Sequence, residues 1–130
     1  MTRVLLTGGS GFIATHILQI LLHRGTSKAE GIRKAHPSYG TDRLDFAIVP
    51  DVSQADAFDH AVVSDPPFEA VIHTASPFHF KVTEIKKDLL DPAIIGTTGI
   101  LRAIKENAPT VKRVVVTSSF GSMMNLSKGL

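Results

Sequence analysis

The sequence predicts an α/β protein built on a doubly wound parallel sheet, and three observations support that prediction. The apolar run over residues 4–6 leads into a glycine-rich turn and then into an apolar pattern of helical period. Short apolar runs alternate along the chain with longer stretches of helical periodicity. Most of these runs are continuously apolar, which is typical of parallel strands covered on both faces.

The first half of the chain contains two predicted strands and two predicted helices. A strand over residues 3–7 is followed by a helix over residues 11–24, for which Gly25 is a suitable end. A short polar helix over 27–36 is ended by a proline, and a strand follows over 44–49. The apolar stripe of the first helix consists of Phe12, Ile13, Ile17, Leu18, Ile20 and Leu21.

The second half repeats the alternation. A short helix is expected over 54–60, a buried strand over 70–75, a long helical stretch over 83–107 and a second buried strand over 112–117. Pro92 follows an aspartate inside the long stretch, which predicts a kink or a restart of the helix there. One face of that stretch carries Ile85, Leu89, Ala93, Ile100 and Ile104.

The glycine-rich turn is the strongest functional signal. Gly9-x-Gly11-x-x-Ala14 fits a dinucleotide-binding fingerprint, and so does the shifted frame that starts at Gly8. Glycines let backbone amides approach phosphate oxygens, and the start of the following helix favours the negative charge of a pyrophosphate. The alternative is an ordinary glycine-rich turn. No Gly-Lys-Ser/Thr follows, which excludes a Walker phosphate loop, and Phe12 stands where a nucleophile elbow needs glycine.

One spacing departs from a dinucleotide-binding (Rossmann) fold. That fold places a second strand after the first helix, with an acidic residue or an arginine about 20 residues beyond the glycine loop. Here Gly25 is followed directly by polar residues, so the sheet is expected to be incomplete, with its second strand missing. Lys28 and Arg33 lie near the expected distance but fall on the polar helix, where a solvated face is the favoured interpretation.

Composition narrows the class of protein. The chain has 130 residues, 43% of them hydrophobic and 20% charged, which indicates a globular domain. Its net charge of +2 comes from interspersed charges, so no nucleic-acid partner is expected. The chain has no cysteine and no apolar run long enough for a membrane span, so no membrane partner and a cytoplasmic location are expected. The six histidines form no helical i, i+4 pair, and no metal site is expected.

Four motifs together resemble the extended short-chain dehydrogenase/reductase family. They are the glycine loop over 7–14, Val-Pro-Asp-Val-Ser over 49–53, His-Thr-Ala-Ser-Pro over 73–77 and Val-Val-Val-Thr-Ser-Ser over 114–119. Within that family the sequence is most similar to the NADP-dependent aldehyde/ketone reductases and dihydroflavonol-reductase-like enzymes.

The resemblance implies a cofactor, a substrate class and a set of site residues. The cofactor would be NADP, with NAD as the alternative, and the substrate a small carbonyl compound or alcohol. Ser119 takes the place of the catalytic serine, which hydrogen-bonds the substrate carbonyl oxygen. Asp51 takes the place of an adenine-contacting aspartate, although spacing alone equally fits a turn or N-cap aspartate. The implied cofactor-binding residues are Gly8, Gly11, Phe12, Ile13, Asp51, Val52, Thr74, Ala75, Ser76 and Thr117.

The sequence also departs from that family. The family completes catalysis with a tyrosine and a lysine four residues later, downstream of the serine. The only tyrosine here, Tyr39, lies upstream, and Arg43 stands four residues after it. Ile95 occupies the family's asparagine position in the long helix. We therefore expect residues 1–130 to be a partial NAD(P)-binding domain, the first half of a reductase, with an aberrant or disordered tail over 120–130.

Three functional hypotheses stay open at this point. The first is an NAD(P)-dependent oxidoreductase of CH–OH donors, inactive as this fragment because the tyrosine–lysine pair is absent. The second is a non-catalytic dinucleotide-binding or regulatory module. The third is a non-functional product of an incorrect gene model. The sequence does not indicate an oligomeric state.

Overall fold

The computed structural model describes residues 3–9, 11–14, 16–17, 44–45, 47–77 and 82–119. The predicted helix over 27–36, the predicted loss of a second strand after Gly25 and the tail over 120–130 lie outside these residues, as does Tyr39.

Three short strands form a parallel sheet. They are β1 (Val4–Thr7), β2 (Ala70–His73) and β3 (Arg113–Val116), in the order β1-β2-β3. Val4 is level with Ala70, and Ala70 is level with Arg113, so the three carboxyl ends lie at the same edge. The predicted parallel α/β architecture is confirmed, and ligands of such sheets bind at this edge.

A long α-helix, Asp91–Asn107, connects β2 to β3, because parallel strands need a crossover connection. A π-helical turn, Lys86–Leu90, precedes it, and the Asp91 N–H donates to the Lys86 carbonyl five residues back. Pro92 has no N–H and its ring would crowd the carbonyl four residues earlier, which a wider turn relieves. The predicted interruption at Asp91 and Pro92 is therefore confirmed.

The widened turn also changes which residues face the core. A π-turn takes one more residue than an α-turn, so side chains before it rotate out of phase with those after it. Ile100 and Ile104 are buried as predicted, whereas Ile85 is 67% exposed, and its placement on the same face was wrong. No described helix is long and apolar enough to cross a membrane.

The hydrophobic core lies between the sheet, the long helix and the segment that precedes β2. Val71 of β2 and Ile100 of the helix are both fully buried, and Phe58 and Val62 pack against them from the preceding segment. Arg102 of the long helix also binds that segment, because its guanidinium donates a hydrogen bond to the Ala55 carbonyl.

The predicted strand over 44–49 is absent from the described part of that segment. Residues 44–45 and 47–49 form no ladder, and Ile48 is 76% exposed. A strand needs a partner for its backbone groups, and within the described chain β1 pairs only with β2. The His60 ring instead hydrogen-bonds the Ile48 carbonyl, and Val49 packs against the core.

The predicted helix over 54–60 is a series of tight turns. Its amides bond three residues back, as Ala57 does to Gln54 and Asp59 to Asp56. The pattern changes only at Val62, which donates to Phe58 four residues back. The turns bury Phe58 without forming an α-helix.

β3 is a strand as predicted, but it is not buried. Val114, Val115 and Val116 are 37%, 56% and 40% exposed, respectively. The apolar run correctly predicted a strand. The prediction that this strand is buried was wrong, because burial requires elements that cover both faces of the sheet.

Candidate functional site

The glycine loop begins directly after β1 and fits tightly against the end of β2. Gly8 has a φ of +72°, which L-residues rarely adopt. A Cβ added to Gly8 would lie 2.8 Å from Thr74 Oγ1 and 2.9 Å from the Ala75 nitrogen. The loop closes when the Gly11 N–H donates to the Gly8 carbonyl at 2.7 Å. Gly8 is therefore required both by its backbone conformation and by lack of space.

The helix predicted after this loop begins at residue 12, and residues 12–14 and 16–17 of it are described. Ala14 is 1% exposed, as expected for a small residue that lets the helix lie close to the sheet. Phe12 and Ile13 are 81% and 56% exposed, so these two members of the predicted apolar stripe do not contribute to the core. They lie at the open start of the helix, beside the glycine loop.

The end of β2 is bound to the end of β1 through Thr7. Thr74 Oγ1 donates to the Thr7 carbonyl at 2.7 Å, and the Thr74 and Ala75 N–H groups both donate to Thr7 Oγ1 at 3.2 Å. Thr7 is buried, and Ser76 just beyond is exposed. The structure thus brings Gly8, Thr74 and Ala75 together at the carboxyl edge of the sheet.

Asp51 lies in a loop that fixes its carboxylate. Oδ1 accepts from the Ser53 N–H at 2.9 Å and from the Ser53 hydroxyl at 2.6 Å, while Oδ2 accepts from Gln54 Nε2 at 3.0 Å. These hydrogen bonds, with that of Gln54 the largest cause, lower the pKa of Asp51 to about 2. The turn interpretation of Asp51 is thus present in the structure, and the ionised carboxylate is exposed and still has acceptor capacity.

Two glycines of the long helix let the Asp51 loop pack closely against that helix. A Cβ on Gly96 would lie 3.2 Å from the Val52 carbonyl oxygen and 3.9 Å from the Pro77 ring, so the Asp51 loop and the end of β2 meet at one point of the helix. A Cβ on Gly99 would lie 3.2 Å from the Ala55 carbonyl oxygen. Sequence reasoning missed both glycines, although two glycines three residues apart on a helix are a readable signal of close backbone approach.

The end of β3 joins the same edge. The Thr117 N–H and hydroxyl both donate to the His73 carbonyl, at 3.0 and 3.3 Å. Ser119 follows two residues later and is exposed. Ile95, in the helix, is half-buried. The described candidate residues of the glycine loop and of the segments that follow β2 and β3 thus lie at, or directly beyond, the carboxyl edge of the sheet.

His73, the last residue of β2, is 2% exposed. Its Nδ1 lies 2.8 Å from Thr7 Oγ1, and its ring meets Phe58 edge-on at 5.4 Å between centroids. Burial lowers its pKa, because desolvation disfavours the imidazolium. In the described ranges, no cluster of three His, Asp or Glu side chains suited to a metal ion is found.

Comparison with known proteins places this geometry in a family. The family model described as the NAD dependent epimerase/dehydratase family matches residues 4–126. A ketoreductase of Aspergillus niger is 44% identical over 94% of this chain and 39% of its own length. An NADPH-dependent methylglyoxal reductase of Saccharomyces cerevisiae is 39% identical over 96% of this chain and 39% of its own length.

Solved structures agree. The yeast methylglyoxal/isovaleraldehyde reductase complexed with NADPH superposes with a TM-score of 0.78 at 36% identity, over 97% of this chain and 40% of the other. The corresponding NADPH complex from Candida albicans gives a TM-score of 0.85 at 34% identity, over 98% and 40%. The chain spans about 40% of the length of these proteins. The sequence match and the shared fold show that the chain belongs to the NAD-dependent epimerase/dehydratase family.

Proposed function

We propose that this chain forms the NADPH-binding part of a reductase that acts on aldehydes or ketones. The observation that carries the proposal is the junction of the glycine loop with the end of β2, where Thr7 and Gly8 meet Thr74 and Ala75. A ketoreductase and an NADPH-dependent reductase among the similar proteins, together with two NADPH complexes, support the choice of chemistry.

The glycine loop fits a dinucleotide on steric grounds. A Cβ on Gly9 would meet none of the described residues within 4 Å, whereas one on Gly8 would meet the next loop. The backbone at Gly9 is therefore open to a ligand while its neighbour is locked in place. The loop leads into the first turn of a helix at residue 12, the arrangement that favours phosphate oxygens.

Each implied site residue has a role that its position supports. Gly8 and Gly11 shape the loop for the pyrophosphate, with Phe12 and Ile13 beside it. The exposed, ionised Asp51 and its neighbour Val52 are suited to the adenine end.

The other end of the dinucleotide falls to the ends of β2 and β3. Thr74, Ala75, Ser76 and Thr117 would line the nicotinamide side, and NADPH supplies the hydride when it is bound. Ser119 would donate a hydrogen bond to the substrate carbonyl oxygen. Residues 1–130 would form one partial dinucleotide-binding domain.

A non-catalytic dinucleotide-binding module is the second candidate. The observation that favours it is that these 130 residues contain no Tyr-x-x-x-Lys pair. The short-chain dehydrogenases/reductases that the sequence resembles use the tyrosine of that pair as their proton donor. High turnover by this chain would rule out the second candidate, whereas low turnover is compatible with both. We expect the chain to bind NADPH but to consume little of it when a panel of aldehydes and ketones is added. Robust consumption would favour a reductase with another proton donor and would contradict the second candidate.

Calorimetric titration of the 130-residue chain with NADPH and with NADH tests the proposal. We expect NADPH to bind more tightly than NADH. Gly9→Ala should weaken NADPH binding about tenfold or more, because the added methyl group occupies the open side of the loop and costs roughly one charge-assisted hydrogen bond. Lys105→Ala, an exposed change in the last turn of the long helix, is the matched control. A folded wild-type chain that binds neither dinucleotide would contradict the proposal.

A further inference from the structure

Each hydrogen bond of the Thr7 hydroxyl can be assigned to a partner. A hydroxyl has one proton to donate and two lone pairs to accept with. The Thr74 and Ala75 N–H groups both donate to Thr7 Oγ1, at 3.2 Å each, and occupy both lone pairs. Among the described residues, the hydroxyl proton is therefore left for His73 Nδ1, at 2.8 Å.

This count determines the tautomer of His73. Nδ1 must accept, so it carries no proton, and the proton of the neutral ring is on Nε2. An Nδ1–H would point at an oxygen whose lone pairs are already used, and one of the two backbone amides would lose its acceptor. The imidazolium has the same conflict, because it carries a proton on both nitrogens.

The rest of the ring shows that Nδ1 is the atom that matters. Nε2 is buried and has no hydrogen-bond partner among the described residues. The ring also packs edge-on against Phe58, a contact that an apolar ring would provide equally well. An unpartnered buried N–H is unfavourable, so packing alone does not account for a histidine here.

We propose that His73 is a positioning residue for the NADPH site. Its Nδ1 accepts the Thr7 hydroxyl proton and so orients Thr7 Oγ1 as a double acceptor for the start of the loop that follows β2. That loop start lies against Gly8, where a Cβ has no room, so its position sets the wall of the glycine loop. The effect on NADPH rests on the proposed function, while the tautomer and the orientation of Thr7 do not.

Nuclear magnetic resonance of the ¹⁵N-labelled 130-residue chain reads the tautomer directly. Two-bond ¹H–¹⁵N correlations should show the His73 ring protonated on Nε2 alone at neutral pH. Its signals are assigned in the wild-type chain by nuclear Overhauser contacts between its ring and the ring of Phe58. A protonated Nδ1 would overturn the proposal, and this measurement on the wild-type chain does not depend on any variant folding.

Two substitutions then separate positioning from packing. His73→Asn removes the ring but retains an acceptor, because Oδ1 is as many bonds from the backbone as Nδ1. His73→Phe retains the ring volume and removes the acceptor. We expect the Ala75 amide to exchange with solvent about tenfold faster in His73→Phe than in His73→Asn. Equal or slower exchange in His73→Phe would mean that the ring acts by packing, and the proposal would be wrong.

NADPH affinity provides the functional arm. The same order is expected, with His73→Phe weaker than His73→Asn, and Thr7→Ser should bind like the wild type because it retains the hydroxyl. Affinity that follows packing, with the phenylalanine variant the stronger, would overturn the positioning role. If the wild type binds no NADPH, the proposed function fails, while the tautomer and the exchange rates still decide the role of His73.

Discussion

The central strand β2 and the outer strand β3 of the described sheet differ in what surrounds very similar residues. Val71 in β2 is fully buried, while its register partner Val114 in β3 is 37% exposed. The end of β2 is further held by Thr7 and Gly8, whereas all four residues of β3 are exposed. The comparison shows that two similar apolar runs both form strands, while the neighbouring elements determine how far each strand is buried. The following predictions test that difference.

The largest effect is expected at the junction of β1 and β2. Gly8→Ala should lower the free energy of unfolding by about 3 kcal/mol, because a positive φ and a collision with backbone and side-chain atoms of the next loop add together. Urea denaturation measures it. Gly9→Ala is the matched control and should change stability by less than about 0.5 kcal/mol, since its methyl group enters open space. Equal losses in the two variants would mean that the junction is not tight.

The next effect compares the two strands by one substitution. Val71→Ala should cost about 2 kcal/mol, because it removes two buried methyl groups and leaves a cavity. Val114→Ala should cost less than about 1 kcal/mol because that side chain is already part-exposed. The two urea midpoints, compared at unchanged denaturant dependence, give the difference. A larger loss at Val114 would show that β3 is covered in solution.

A smaller effect should appear as a dependence of stability on pH. Burial lowers the pKa of His73 from 6.5, so in acid the unfolded chain takes up this proton before the folded chain does. Its contribution to stability is complete above pH 6.5 and decreases as the pH falls towards the folded pKa. His73→Asn should reduce this loss between neutral pH and pH 5, measured by urea denaturation. Thr98→Ala, at a side chain that does not titrate, should leave the slope near that of the wild type.

The smallest effect is expected at the exposed rim. The pKa of Asp51 should be about 2, and Gln54→Ala should raise it towards 3.8, because the Gln54 side chain is the largest cause of the shift. The stability that this carboxylate contributes is present above pH 3.8 and is lost as the pH falls through about 2. A ¹³C titration of the carboxyl group measures the pKa. Thr98→Ala is the control, because the Thr98 hydroxyl donates its hydrogen bond to the Ile94 carbonyl of the same helix. An unchanged pKa in Gln54→Ala would contradict the assigned cause.

Local signals predicted the framework of this molecule. The glycine loop, the three strands and the break at Pro92 each depend on residues near one another in the chain, and the sequence shows such patterns directly. The predictions that were wrong concern features that depend on contacts with other parts of the chain. The segment over 44–49 has strand-forming residues but no neighbouring strand in the described chain, and β3 has apolar residues without cover. The role of Thr7 was missed because its hydroxyl binds residues 67 and 68 positions away.

The two glycines of the long helix restrict how that helix can rotate about its own axis. Successive residues of an α-helix are about 100° apart around its axis, so a rotation by one residue would turn the side chain of Ile95 or Thr97 towards the Val52 carbonyl oxygen. Only a hydrogen atom fits there without displacement. Gly96 and Gly99 therefore set the angular phase of the helix, and with it the side chains that the helix presents at the edge where the three strands end.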